Sequence, residues 1–405
     1  MSTTDVPLAR LQKAGPLAPS TDGPVVAGGI LALAVAMGIG RFAFTPLLPL
    51  MLRDGAVTST VGAEWAAANY AGYLVGALTA AWFAGDPGRG LRLSLAGVAL
   101  TTFAMAGAGS PAPVVLGAAL RAAAGVFSAW ALVCASGWCL AELARRQAPR
   151  LGAWIYTGVG LGIALAGLLA WLGGRQPAVH LWLELGAVAT AGALAVGLLS
   201  RRQGAEPSGA AEREAAATVR GAGQGGLILC YGTFGFGYIV PATFLPAMAR
   251  ELTPDPLVFG LAWPLFGLAA VTSVAVAARA LAGVPRRRLW AGAQGIMALG
   301  TVLPLAVHAL WAVAASALLV GGTFMIATMA GLQLAREARP DAPTPLLARM
   351  TAAFAAGQIL GPLLVRALGP GHWAGLDALD LTGALATLLL VLTALWLWRA
   401  GRAPA

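Results

Sequence analysis

The feature that most restricts the fold of this chain is the length of its apolar runs, which recur along nearly all of its 405 residues. A run of about 18 or more apolar residues can cross the hydrocarbon core of a bilayer as a helix, whereas the strands and helices of a soluble core do not need that length. Only 10% of the residues are charged, against about 25% in soluble domains. These observations predict an integral membrane protein.

Twelve such runs are separated by short turn-rich stretches, so we predict an all-α membrane protein with twelve transmembrane helices. The predicted spans are 25–51, 64–84, 91–109, 112–141, 150–173, 178–199, 224–249, 257–279, 289–307, 309–334, 346–368 and 379–398. The longest polar stretch lies between the sixth and seventh spans. It divides the chain into a cytoplasmic tail (1–24), a six-helix bundle (25–199), a cytoplasmic linker (200–223), a second six-helix bundle (224–398) and a second cytoplasmic tail (399–405).

The net charge of +10 is explained by the positions of the cations, without a nucleic-acid partner. With the N-terminus inside, twenty of the 26 Lys and Arg residues fall in inner loops and tails, four at outer ends and two, Arg41 and Arg121, within spans. Cationic residues concentrate in the loops that stay in the cytoplasm. We therefore predict that both termini are cytoplasmic, that the surrounding contact is the lipid bilayer, and that the protein is a monomer.

The two halves of the chain repeat each other. At an offset of 197 residues, both glycines, the Leu-Pro pair, the Met and the Arg of 38–53 recur in 235–250. Each half begins on the cytoplasmic side, so the repeats are parallel. Two parallel six-helix repeats related by an axis along the membrane normal are typical of the major facilitator fold.

Two motifs resemble one family within that superfamily. The stretch Gly38-Ile39-Gly40-Arg41-Phe42-Ala43-Phe44-Thr45-Pro46-Leu47-Leu48-Pro49 resembles the first-helix signature of the bacterial YbfB/YjiJ family. Residues 237–239 and 242–246 resemble its marker in the seventh helix, and Arg121-x-x-x-Gly125-x-x-x-Ala129 resembles a superfamily motif. The resemblance implies transport across the inner membrane and names no substrate.

Glycines and prolines mark positions where helices bend or approach closely. We predict hinge or gating roles for Gly38, Gly40, Pro46 and Pro49 in the first span, and for Gly235, Gly237, Pro241 and Pro246 in the seventh. In the loop after the second span, Asp86-Pro87-Gly88-Arg89 is one residue shorter than the superfamily pattern. Asp86 and Arg89 are the gating candidates of this loop.

Arg41 is the strongest candidate for solute binding, because it lies deep in the first span with no acidic residue in the same helix. A charged group at the centre of a bilayer costs at least about 2.5–3.5 kcal/mol on insertion scales unless water or a partner faces it. The planar guanidinium suits a carboxylate or a phosphate. Two alternatives are snorkelling to the outer interface and hydrogen bonding to the carbonyls of a helix broken near Pro46.

Other polar and aromatic residues within the spans complete the candidate solute site. Arg121 is the second cation at membrane depth, and its alternative role is a structural bond to the carbonyls of a neighbouring helix. Tyr238 occupies the repeat position of Arg41, so we expect it to line the same cavity from the opposite half. The other candidates are Thr45, Asn69, Tyr73, Trp130 and Tyr231, with Gln333 and Gln358 as weaker ones. Ordinary hydrogen bonding between helices is the alternative for the tyrosines and Asn69.

The acidic residues bear on coupling, because a proton-coupled carrier usually places a carboxylate in its pathway. Glu64 and Glu184 lie near predicted outer ends, and no carboxylate lies clearly at the centre of a span. A proton site is therefore Glu64 or Glu184 reached through water, or it is absent. Nothing in the sequence indicates a metal site or another cofactor.

We expect a secondary transporter that moves a small, anionic organic solute by alternating access, with the proton as a possible coupling ion. A first alternative is an exporter of drugs or metabolites with a hydrophobic cavity. A membrane-embedded enzyme is disfavoured, because the longest loop carries mixed charge without the catalytic cluster that such enzymes need. Arg41 distinguishes the first two classes, since an exporter of neutral lipophiles does not require it.

Overall fold

The computed structural model describes residues 22–400, apart from 84–85, 110–113, 202–223, 282, 340–343, 370 and 373–374. The predicted linker and both predicted tails therefore lie almost wholly outside the described residues. The described helices are α1 (Gly23–Leu33), α2 (Phe44–Arg53), α3 (Ser59–Thr79), α4 (Pro87–Ala104), α5 (Val114–Arg145), α6 (Thr157–Leu172), α7 (Ala178–Arg201), α8 (Gln224–Leu252), α9 (Pro256–Phe259), α10 (Ala262–Ala280), α11 (Arg286–Ala306), α12 (Leu310–Ala338), α13 (Thr344–Leu368) and α14 (Ala378–Ala400).

These helices make the twelve predicted crossings. The first crossing consists of α1, a π-helical segment (Ala34–Ile39) and α2, while the one-turn helix α9 precedes the eighth crossing. Among the described residues, ten crossings are long and apolar enough to span a membrane by composition alone. The other two are α3, which carries Glu64, Asn69 and two tyrosines, and α10, whose apolar part is shorter. The prediction of an all-α membrane protein is confirmed.

The helices form two halves, α1–α7 and α8–α14, that meet along two equivalent seams. The second crossing of the first half, α3, packs on the fifth crossing of the second half, α13. Reciprocally, α6 of the first half packs on α10 of the second. These two pairs correspond to each other under the sequence repeat, as expected for two halves related by a two-fold axis.

Glycines allow the first crossing of each half to touch the fifth. A Cβ atom added to Gly38 would lie 2.3 Å from the backbone of Gly162 in α6. In the second half, a Cβ added to Gly235 would lie 2.3 Å from the carbonyl oxygen of Phe354 in α13. Backbones that approach this closely exclude any side chain. The glycine pattern of the repeat is therefore a pattern of helix contacts.

The first crossing is broken at the predicted family motif. The amide of Gly40 donates to the carbonyl of Val35 at 3.0 Å, and that of Phe42 to Met37 at 3.1 Å, which are the i→i−5 bonds of a π-helix. Pro46 and Pro49 lie beyond the break, within α2. In the seventh crossing, α8 continues as one helix through Pro241 and Pro246. The π-helical segment, which the sequence did not predict, therefore makes the break in the first crossing.

The first and seventh crossings are enclosed by protein on all sides over part of their length. Every residue from 35 to 51 is buried, and so is every residue from 233 to 246. A helix at the edge of a bundle would expose one stripe to lipid. Arg41 and Tyr238 therefore lie on central helices, at the place where the two halves meet.

We expect Gly162→Ala to destabilise the protein, because the added Cβ would lie 2.2 Å from the carbonyl oxygen of Ala34. Overpacking of this kind typically costs about 1–3 kcal/mol. The matched control is Gly197→Ala in α7, where an added Cβ meets nothing within 4 Å. Thermal unfolding in detergent should show a lower Tm for the first variant only. Equal melting temperatures would contradict the close packing of the first and fifth crossings.

Candidate functional site

Arg41 connects the two halves at the centre of the molecule. Its side chain is 3% exposed, and its Nη2 donates to Oε1 of Gln358 in α13. The Nε2 of Gln358 in turn donates to the hydroxyl of Tyr238 in α8. The predicted pair of Arg41 and Tyr238 is thus joined through one amide, and neither residue reaches lipid.

Aromatic rings surround the guanidinium of Arg41. Its central carbon lies 3.9 Å from the ring centroid of Tyr73, 5.2 Å from that of Phe42 and 5.6 Å from that of Tyr70. A cation over an aromatic face is attracted by the negative face of the ring, and the attraction grows when water is excluded. These rings partly replace the hydration that the cation loses.

Arg41 has no carboxylate partner among the residues that the structure describes. The described ion pairs lie at helix ends, and none of them includes Arg41. The Nε donor of Arg41 is buried without a hydrogen-bond partner. A buried guanidinium with a free donor and no counter-ion is suited to accept an anion.

Arg121 supports the broken backbone that carries Arg41. Its Nη1 donates to the carbonyl of Gly40 at 3.2 Å, and its Nη2 to the carbonyl of Arg41 at 2.9 Å. Its guanidinium also lies 4.8 Å from the ring centroid of Phe44. Both carbonyls lie in the break between the π-helical segment and α2, so they need donors from elsewhere. This is the structural alternative that the sequence left open for Arg121.

Two more predicted residues support the same region. The side-chain amide of Asn69 donates to the carbonyl of Arg121 at 2.8 Å, and its Oδ1 is buried without a partner. Thr45 is buried one turn beyond Arg41. The structure therefore brings Arg41, Thr45, Asn69, Tyr73, Arg121 and Tyr238 into one region.

Two predicted residues occupy other surroundings. Trp130 donates to the hydroxyl of Thr79 at 2.9 Å and packs against Trp82, Phe83 and Phe127, near the end of α3. This arrangement matches the plain packing role of a tryptophan. Tyr231 packs against the rings of Phe234, Trp290 and Phe354, so it lies next to the site without touching Arg41 in the described contacts.

The coupling candidates lie away from Arg41. Glu64 in α3 forms an ion pair with Arg366 in α13, with 2.9 Å between oxygen and nitrogen. This pair crosses between the halves at the predicted outer end. Glu184 is exposed and accepts a hydrogen bond from Gln176 at 3.0 Å.

The gating candidates have local structural roles. The carboxylate of Asp86 caps α4 by accepting the backbone amide of Arg89 at 2.8 Å. A Cβ added to Gly40 would lie 2.7 Å from the hydroxyl oxygen of Ser128, and one added to Gly237 would lie 2.5 Å from Leu390. Their gating roles remain predictions.

Several residues of the site were missed or ranked low in the sequence. Gln358 was a weak candidate, although its position four residues after Phe354 places both on one face of α13. Tyr70 and Thr243 join the halves through their hydroxyl oxygens at 2.9 Å. Nothing in the sequence distinguishes Phe324, which packs against Phe42 of the other half, from many other apolar residues.

Known structures share this architecture. The solved structure of a D-xylose–proton symporter is 15% identical, with a TM-score of 0.67 over 93% of this chain and 96% of its own. A mutant form of the nucleoside transporter NupG is 12% identical, with a TM-score of 0.69 over 93% of this chain and 99% of its own. No curated protein sequence matches the chain.

Two parallel helical halves around a central buried site are the architecture of the major facilitator fold, which both solved structures share. The sequence model of one family with this fold, described as "Uncharacterised MFS-type transporter YbfB", matches residues 33–397. The chain therefore belongs to the YbfB family of major facilitator transporters, as its first-helix motif predicted.

We expect Arg121→Leu to destabilise the protein by about 2 kcal/mol or more, because it leaves two buried carbonyls without donors at about 1–3 kcal/mol each. Arg175→Leu is the control, because Arg175 is exposed. Thermal unfolding of both purified variants checks this expectation. If Arg121→Leu melts at the same temperature as the control, the broken backbone of the first crossing is stable without the hydrogen bonds of Arg121.

Proposed function

We propose that this protein is a secondary carrier that moves a small organic anion across the bacterial inner membrane by alternating access. The observation that carries the proposal is the buried guanidinium of Arg41, which has a free Nε donor and no described carboxylate partner. In this proposal the carrier is a monomer with both termini in the cytoplasm, and Arg41 is the anchor of the solute.

Electrostatics favour an anion over a neutral or cationic solute. A buried cation without a counter-ion raises the energy of the protein, and a carboxylate that pairs with it recovers part of that cost. Arg121 adds a second positive charge nearby and also has a buried Nε without a partner, but both of its terminal nitrogens hold the carbonyls of Gly40 and Arg41. Arg41 instead bonds a side-chain amide of the other half, so we assign the solute to Arg41.

The contacts between the halves suggest how binding is coupled to reorientation. Arg41 belongs to the first half, and its partner Gln358 belongs to the second. An anion between them would contact both halves at once, which favours the state in which they close around it. The ion pair of Glu64 with Arg366 closes one end of the seam. At the predicted inner end, Arg279 lies 4.5 Å from the ring centroid of Trp154 across the other seam.

Glu64 is the coupling candidate that this arrangement favours over Glu184. Protonation of Glu64 would remove its attraction to Arg366 and so loosen the outer contact between α3 and α13. Glu184 bonds only within its own half in the described contacts. Proton coupling through Glu64 is part of the proposal. If the protein is instead a uniporter or an anion exchanger, Glu64→Gln should transport the solute as fast as the wild type.

An exporter of neutral lipophiles is the second candidate, because aromatic rings surround the site. It predicts that solute binding survives the loss of Arg41. The sugar and nucleoside specificities of the two structural neighbours do not carry over at 15% and 12% identity.

The decisive test replaces Gln358 with glutamate. Gln358→Glu would place a carboxylate against Arg41 and neutralise it, because the side-chain length is unchanged. We expect this variant to keep its melting temperature and to lose all stabilisation by sodium carboxylates. Arg41→Leu should lose the same response. Thermal shift assays of purified protein with a panel of carboxylates measure both effects.

Gln358→Leu is the matched control, because it removes the amide and leaves Arg41 charged. It should keep its response to carboxylates, even with a lower starting melting temperature. Carboxylates that stabilise the wild type and Gln358→Glu equally would contradict the anchor role of Arg41. Stabilisation by neutral lipophiles alone, unaffected by Arg41→Leu, would favour the exporter.

A further inference from the structure

We infer that the anion carried by this protein has a flat aromatic body, so that its substrate class is the aromatic monocarboxylates. This inference rests on the proposed function, because it assigns the part of the solute that lies beyond the carboxylate held by Arg41. It follows from the walls around the guanidinium, to which both halves contribute rings.

Six aromatic residues form these walls, which we call the aromatic cage. Three belong to the first half and lie around the guanidinium, and three belong to the second half, namely Tyr238 and the two rings that stack on it. The cage consists of Phe42, Tyr70, Tyr73, Tyr238, Phe324 and Phe354. Phe42 and Phe324 connect the two sets, with ring centroids 6.5 Å apart.

The rings of the second half are arranged as a stack. Tyr238 lies between Phe324 and Phe354, with 5.6 Å between centroids on each side and interplanar angles of 7° and 9°. Parallel, offset rings are a favoured geometry for aromatic pairs. The three rings come from α12, α8 and α13, so their alignment is set by tertiary packing. A flat ring that enters beside them meets parallel faces, whereas a puckered ring of the same size does not.

The stack lies next to the anion anchor. The hydroxyl of Tyr238 accepts a hydrogen bond from the amide nitrogen of Gln358, and the amide oxygen of Gln358 accepts one from the guanidinium of Arg41. A carboxylate on Arg41 therefore places its attached carbon beside the face of the cage. Phe354 lies one helical turn before Gln358 on the same face of α13. The anchor and the flat wall are thus parts of one surface.

Most hydroxyl groups of the cage are already engaged, which disfavours a polyol. Of its three tyrosine hydroxyls, that of Tyr70 bonds the hydroxyl of Thr243 at 2.9 Å and that of Tyr238 accepts from Gln358. A bound sugar would bury several hydroxyl groups here. Each hydroxyl group without a hydrogen-bond partner would weaken binding, because an unsatisfied buried polar group carries a desolvation penalty. A solute with one carboxylate and an otherwise apolar body leaves no such group unpaired.

The charge of the site favours a monoanion. Arg121 donates two hydrogen bonds to the carbonyls of Gly40 and Arg41, and its guanidinium lies against the ring of Phe44. Arg41 and Arg121 each have a buried Nε without a partner, but among the described residues only Arg41 has rings of the cage around its guanidinium. The carboxylate is therefore assigned to Arg41, and a second carboxylate on the solute would have to compete with the backbone carbonyls that Arg121 holds.

The test compares benzoate with cyclohexanecarboxylate, which has the same charge and a similar size but a puckered ring. Propionate and benzamide complete the set, the first without a ring and the second without a charge. In thermal shift titrations of the full-length protein, we expect benzoate to reach half-saturation at about three- to tenfold lower concentration than cyclohexanecarboxylate, which is the range that aromatic pairs provide. Benzamide should give no shift.

Phe324→Leu and Phe354→Leu test the cage directly. Each keeps an apolar side chain and removes one ring of the stack, so each should bring the half-saturating concentrations of benzoate and cyclohexanecarboxylate together. The matched control is Phe259→Leu, because Phe259 is as buried as Phe324 and lies outside the cage. It should keep the preference of the wild type. Two cage variants are used so that a folding defect in one still leaves the other.

Failure of this inference can be told apart from failure of the proposed function. If no carboxylate stabilises the wild type more than Arg41→Leu, the proposed function itself is wrong. If carboxylates act through Arg41 but benzoate is no better than cyclohexanecarboxylate, the aromatic assignment alone is overturned. A benzoate preference that persists in both cage variants overturns it as well, because the preference then arises elsewhere.

Discussion

The structure depends on burying the guanidinium of Arg41 where no carboxylate of the described residues pairs with it. An unpaired cation at membrane depth is costly. The amide of Gln358 and the faces of neighbouring rings replace water around Arg41, and burial between helices keeps it away from lipid. These substitutes come from both halves of the molecule. The burial of Arg41 therefore requires that the halves be together, which ties the electrostatics of the site to the packing of the whole bundle.

The break in the first crossing is what places this cation. A regular helix would satisfy its own carbonyls and would leave nothing for Arg121 to bind. The π-helical segment Ala34–Ile39 instead frees the carbonyls of Gly40 and Arg41, and Arg121 bonds both. Gly38 meets Gly162 within the same stretch, so the backbone is held from a second side. Irregular helical segments of this kind are frequent at functional sites.

The sequence predicts the architecture well because hydrophobic length, basic loops and a repeat are properties of many residues at once. The twelve crossings and the parallel halves follow from such patterns and are confirmed. Arg41 and Tyr238 were found because one is a charge in an apolar run and the other is its repeat partner. Phe324 could not be found, since its role depends on which neighbour its ring faces. Trp130, chosen for its unusual position, packs with Trp82 and Phe83 instead.

The same contacts that stabilise the closed centre also set what a solute must replace. A molecule entering between the halves has to separate Arg41 from Gln358 and part the rings of Phe42 and Phe324. In the function proposed here, the solute makes this exchange favourable because it returns an equivalent to each lost contact. Its carboxylate is an acceptor for the guanidinium, and its ring is a flat apolar face for the aromatic side chains. Because both replaced contacts cross between the halves, the solute then joins the halves in their place. In the proposed mechanism, binding and closure are therefore one event, which is the coupling that a carrier with alternating access requires.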